Sequence, residues 1–203
     1  MSVPMALMDM VPVVLFFLAS LSLMHDLYHM MSKGAFALFA AGVILVSVAG
    51  FYKALWKMLY ALNVCDFEAL NRSFFPMQST GFILAGIGMA GLLFFRQSER
   101  TAAMAAVPVY SSAMPFVMLT LIGTFCIWGA LAVIAKRMRQ SKTAVLFLFS
   151  FVCMLGMGYL SSRDFTEPLM NWIGQSVNLL GTGTFLIGAR TLHKAGLDRF
   201  EMA

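Results

Sequence analysis

Charge is what this chain has least of. Asp, Glu, Lys and Arg together make up 11% of its 203 residues, against roughly 25% in a soluble domain. So little polar side chain cannot cover a water-soluble globule, which excludes a soluble catalytic domain. Acidic residues are scarcer than basic ones, and the net charge is +5. That excess is no nucleic-acid footprint, because the basic residues stand beside apolar runs, where they set membrane orientation. Cysteine is scarce as well. Cys65, Cys126 and Cys153 form neither a disulfide framework nor a CxxC pair. Cys126 and Cys153 read as small residues inside apolar runs, and Cys65 as a free thiol in a polar loop. There is no Walker A loop, no G-x-G-x-x-G and no serine-hydrolase elbow. The opening residues, MSVPMALMDM, lack a basic stretch and carry Asp9. The first apolar run is therefore expected to stay in the protein as a helix and not to be cleaved as a signal peptide.

What the chain has in abundance is apolar sequence: 61% of residues are hydrophobic, with a mean hydropathy of +0.84. Cutting at charged residues leaves six apolar segments: Met10–Met24, Gly34–Tyr52, Ser73–Phe95, one inside Thr101–Ala135 starting near Pro115, Thr143–Ser162 and Pro168–Ala189. The last five are long enough to span a bilayer as helices. The first falls short of the ~18 residues required unless it takes in Asp9 or the pair His25 and Asp26. The runs are too long and too uniformly apolar for barrel strands. The expected fold is all-α: a single integral membrane domain over residues 1–203 with six transmembrane helices.

Phe75–Gly91 recurs, degraded, as Trp172–Gly188. Without a gap, Gln78 falls on Gln175, Ser79 on Ser176, Gly86 on Gly183 and Gly91 on Gly188. A weaker match pairs the stretch from Ser32 with the stretch from Ser141. Two three-helix units follow, residues 5–96 and 114–190. Because three is odd, strict alternation across the bilayer would insert the second unit upside down, giving a 3+3 inverted repeat of the kind found in transporters. Counting Lys and Arg on that scheme places Lys53, Lys57, Arg72, Lys136, Arg137, Arg139, Lys142, Arg190, Lys194 and Arg199 on the side of the N-terminus. Only Lys33, Arg96, Arg100 and Arg163 fall on the other. Both termini are then expected to be cytoplasmic, with the protein in the plasma (inner) membrane. In FYKALWKMLYAL, Tyr52, Trp56 and Tyr60 sit one turn apart with Lys53 and Lys57 between them, the pattern of an aromatic belt with snorkelling lysines. Glycines such as Gly81, Gly123, Gly156 and Gly181 are expected to let helices approach closely.

Three clusters could carry chemistry. On helix 6, Asn171, Gln175, Asn178 and Thr182 form one polar stripe at i, i+4, i+7 and i+11. With Gln78, the repeat counterpart of Gln175, it is the expected solute path. His25, Asp26 and His29, in HDLYH, are the candidates for proton or ligand contact, because ionisable groups in a span are costly. The string resembles the H-E-x-x-H zinc pattern, but Asp is a methylene short. His193 is expected on the opposite side, so neither a metal site nor a cofactor is expected. The third cluster, Arg163, Asp164 and Glu167, belongs to a short outer loop. The sequence thus points to a small-solute or ion transporter, a channel or a transporter subunit with an outward-facing polar cavity. A membrane sensor or accessory subunit that docks a partner is the alternative, and an intramembrane metal-dependent hydrolase a third. Expected partners are the lipid bilayer, a small solute or ion, and a second copy or another membrane subunit, with no nucleic acid.

Overall fold

The structure is a computed structural model that describes residues 3–94, 114–160 and 168–200. It is all-helical over those residues: α1 (Val3–Leu27), α2 (Lys33–Ala61), α3 (Glu68–Phe94), α4 (Met114–Arg137), α5 (Ser141–Leu160), α6 (Pro168–Lys194) and a closing 3₁₀ turn, Leu197–Arg199. Local signals set several boundaries. The Ser32 hydroxyl accepts the Ala35 N–H and caps α2. Pro115 and Pro168 stand in the first turns of α4 and α6, where a missing N–H is harmless. Gly196, with φ of +85°, turns the chain back after α6, so that Leu197 packs beneath it.

Five of the helices, α1 to α5, are long and apolar enough to cross a membrane; α6, of 27 residues, carries the polar stripe and is less apolar. Large apolar side chains stay exposed all around the bundle, among them Val14, Ile44, Ile87, Phe125, Leu148 and Leu180. A soluble monomer rarely exposes such a continuous apolar surface, and lipid covers it without penalty. The first helix is longer than its apolar run: at 25 residues it takes in Asp9 at one end and His25 and Asp26 at the other.

The helices form a ring in chain order, with α6 closing on α1. Pairwise contacts fix their directions. Gly50 packs on Val13, Gly81 on Val46 and Gly88 on Phe39, so α2 opposes both α1 and α3. Cys153 meets Gly181 and Phe147 meets Gly188, so α5 opposes α6. Trp128 reaches Ser150 across the tight turn between α4 and α5, which are also antiparallel. Phe16 stacks on Phe185 and Asp26 meets His193 further along, so α1 and α6 run in the same direction. Hence α1, α3, α4 and α6 all begin at one end of the bundle, here the near end, and finish at the far end. These directions do not fit the inverted repeat: α4, α5 and α6 run in the same senses as α1, α2 and α3. Phe94 lies at the far end and Met114 at the near end, so the alternation assumed from helix number does not hold.

Two further expectations change with it. The start of α1 and the end of α6 lie at opposite ends of the bundle, which does not fit both on one side. Lys33, Lys136, Arg137, Arg139, Lys142, Arg190, Lys194 and Arg199 gather toward the far end, whereas Lys53, Lys57 and Arg72 stand toward the near end.

Candidate functional site

The near half of the bundle holds a cavity of about 220 Å³ lined by all six helices. Its charged members are Asp9 of α1 and Lys53 and Lys57 of α2; its amides are Gln78, Gln175 and Asn178; its hydroxyls are Ser47, Thr120, Thr124 and Thr182. Asp9 and Lys57 form an ion pair across α1 and α2, and are only 8% and 7% exposed. One residue turn away, the Lys53 ammonium sits over the ring of Phe74, 4.1 Å from its centroid, a cation–π contact that is strengthened where water is scarce. The lysines read from sequence as snorkelling toward headgroups instead turn inward. Trp56 and Tyr60 do pair at the helix end, where the Trp56 indole N–H donates to Asp66 at 2.9 Å.

Two acceptors that line the cavity, Asp9 Oδ1 and Gln175 Oε1, are buried without a protein partner among the described residues. A buried acceptor left so is expensive unless water or a ligand donates to it. The hydroxyls of Thr120, Thr124 and Thr182 donate back to carbonyls of their own helices, at 2.7–2.8 Å, leaving their lone pairs to face the cavity. The site can therefore take a solute that offers donors to Asp9 and Gln175 and an acceptor to Lys53.

Aromatic side chains close the cavity toward mid-bundle. Phe185 stacks on Phe16 at 5.7 Å and packs on Trp128 at 4.8 Å and on Phe147 at 6.1 Å, while Phe82 fills the remaining side against Phe16 and Trp128. These separations are those of favourable ring pairs. The Trp128 indole N–H donates to Ser150 Oγ at 2.8 Å, and the Ser150 hydroxyl donates to the Gly181 carbonyl at 2.7 Å.

The sequence-derived stripe is largely brought together. Gln78, Gln175, Asn178 and Thr182 line the cavity; Asn171, in the first turn of α6, does not. The repeat-related pair Gln78 and Gln175 thus faces one space from two helices. HDLYH divides differently from its spacing. α1 ends at Leu27, and His29 stacks edge-on against Tyr28 beyond the helix. The residue that joins His25 and Asp26 is His193 of α6, placed on the opposite side by helix counting but found here at the same far end. The Asp26 carboxylate is fully buried, with His193 Nδ1 at 2.7 Å and His25 Nδ1 at 3.2 Å from its Oδ1. Arg163, Asp164 and Glu167 lie outside the described residues.

Sequence reasoning missed Asp9, Lys53 and Lys57 as a site. The signal available was an acid and two bases inside otherwise apolar helices, which calls for mutual pairing. The fold and site together define a helical membrane protein with a mostly apolar cavity that holds a few charged and polar groups. No protein-family model, curated protein or solved structure matches the chain.

Proposed function

We propose that this chain is a small-solute transporter, or the solute-binding subunit of one, with the near end facing outward. The observation that carries the reading is the cavity: all six helices contribute to it, it holds Asp9, Lys53 and Lys57 with two unpartnered acceptors, and aromatic rings floor it. Ligand sites are concave and mostly apolar with a few convergent polar groups, and intramembrane ionisable residues mark solute or ion paths by default. The solute is a small amphipathic molecule bearing both a hydrogen-bond donor, for Asp9 and Gln175, and an anionic or strongly accepting group, for Lys53. Two three-helix units running in the same sense are an arrangement used by carriers that rock one half against the other. A floored cavity fits one state of such a cycle, not an open channel.

The outward placement rests on eight basic residues at the far end against three at the near end among the described residues, a bias that favours a cytoplasmic far end. Native Cys65, exposed in the near-end loop, should then react with a membrane-impermeant maleimide in intact cells. In a background lacking the native cysteines, Ser141→Cys, at the far end, should react only after permeabilisation. The opposite pattern would turn the molecule over.

Transport itself is tested in proteoliposomes loaded with a panel of small amino acids, carboxylates and amines. At least one solute should show counterflow that Lys53→Met abolishes. In the same cysteine-free background, Gln175→Cys and Asn178→Cys should react with small polar thiol reagents, and Leu186→Cys, in the core, should not. Uniform protection along α6 together with no counterflow for any solute class would remove the transport reading and favour a sensor or docking subunit.

A further inference from the structure

The far end carries a second group of polar side chains that the cavity does not use. Asp26 is wholly buried at the end of α1, next to the turn where Gly196 folds the chain after α6 back onto α1. Two imidazoles flank it from different helices: His25 from α1, 74% exposed at its side chain, and His193 from α6, 50% exposed. One ligand atom from each of the three residues lies within 4.8 Å of the others. The second carboxylate oxygen, Asp26 Oδ2, is buried with no protein partner among the described residues.

A buried carboxylate needs a cation or donors on both oxygens. Here both imidazoles crowd one oxygen, and the other has none. We propose that His25, Asp26 and His193 bind a divalent transition metal, zinc being the best match, with the fourth position open to solvent. Two imidazole nitrogens and one carboxylate oxygen are a donor set that suits zinc, and three protein ligands with a free position form an open tetrahedral site. In a tetrahedron with metal–ligand lengths of about 2.0–2.1 Å, donors stand roughly 3.3 Å apart. The 2.7 and 3.2 Å separations of the two imidazoles from Asp26 Oδ1 stand close to that distance, and all three donors lie within 4.8 Å of one another. To bind the metal each neutral imidazole takes the tautomer with its proton on Nε2, giving up donation to Asp26 so that the Nδ1 lone pair faces the ion, and the carboxylate supplies the negative charge. Two ligands are adjacent on α1 and the third comes from α6. The ion would therefore clasp the first three-helix unit to the second at the end opposite the cavity.

The site does not rest on the transport reading, and its test does not involve transport. Purified protein in detergent, with Cys65, Cys126 and Cys153 replaced to remove competing thiols, is titrated with zinc against a chromophoric chelator. One saturable zinc per chain is expected. Losing a ligand should weaken binding by about tenfold or more, since even supporting residues around metal sites are worth that much. His193→Ala and His25→Ala should both show this loss; His25 is exposed, so its removal leaves the fold intact. His29→Ala should bind as tightly as the parent, because His29 lies outside the cluster. Zinc should also raise the melting temperature of the parent and of His29→Ala but not of His25→Ala. Absence of saturable zinc, or zinc binding that survives loss of both His25 and His193, overturns the proposal. Equal loss in His29→Ala and His25→Ala would also overturn it, by pointing to a site made by the His25–His29 segment alone.

Discussion

Lys57→Met should destabilise the protein by roughly 3–5 kcal/mol, the loss seen when one member of a buried ion pair is removed and the other charge is left uncompensated. Asp9→Asn should fall in the same range or somewhat below it, because the remaining ammonium can draw on the amides of the cavity. The double substitution, Asp9→Asn with Lys57→Met, should recover much of the loss, since replacing a whole buried pair with uncharged groups is often neutral. The pair lies inside the bundle with both side chains more than nine-tenths buried, so solvent screening does little to soften the effect. Unfolding of the purified protein in mixed micelles with increasing SDS gives the comparison directly. Strictly additive single and double mutants would show that the two side chains do not depend on one another and would remove the pair from the account. A recovered double mutant that no longer binds any solute would separate the pair's functional part from its structural one.

The second large effect is expected at the glycines between helices. A Cβ on Gly123 would stand 2.3 Å from the backbone carbonyl of Phe82, and one on Gly42 would stand 2.4 Å from the Ala85 nitrogen and 2.5 Å from the Gly81 oxygen. Neither neighbour is the end of a flexible side chain, so an added methyl must part the helices. Gly123→Ala and Gly42→Ala should each cost at least the ~1–3 kcal/mol typical of overpacking. Gly129→Ala is the control: it lies on the same helix as Gly123 but meets nothing within 4 Å, and it should be neutral or slightly stabilising through helix propensity. Melting temperatures of the three variants suffice. Equal damage from Gly129→Ala and Gly123→Ala would mean that helix flexibility, not close approach, is what the glycines supply.

The packing glycines show what local sequence can carry. Gly81 and Gly123 could be marked from small-residue spacing alone, because close approach in lipid selects for a missing side chain whatever the partner is. The start of α4 at Pro115 and the joint facing of Gln78 and Gln175 were legible for the same reason: each depends on a few neighbouring residues or on an internal match. The ion pair was not. Asp9 and Lys57 are far apart in sequence, and a lysine flanked by aromatic residues near a helix end carries the same local pattern whether it reaches for headgroups or for a carboxylate. The direction of the second unit was lost through counting. Alternation presumes that successive helices run in opposite directions, whereas α3 and α4 run in the same direction. That single step moved His193 away from Asp26, and with it went the cluster of His25, Asp26 and His193. The first helix was cut short because Asp9, His25 and Asp26 were treated as ends of an apolar run, although Asp9 pairs with Lys57 and Asp26 with His193 within the fold.

The aromatic floor divides unevenly between the two units. Trp128, Ser150 and Gly181 are joined by two hydrogen bonds, and these tie α4, α5 and α6 to one another. Phe16 and Phe82, which complete the floor from α1 and α3, are hydrocarbon rings that neither donate nor accept such bonds. Across the middle of the molecule, among the described residues, these rings meet the second set of helices through dispersion contacts alone. Directional bonds resist shear sharply and then break, whereas ring faces can slide by an ångström or so while keeping most of their contact. The second set of three helices is thereby bonded into one stiff piece at mid-bundle, and its hydrogen bond to the first set, from His193 to Asp26, lies at the far end instead.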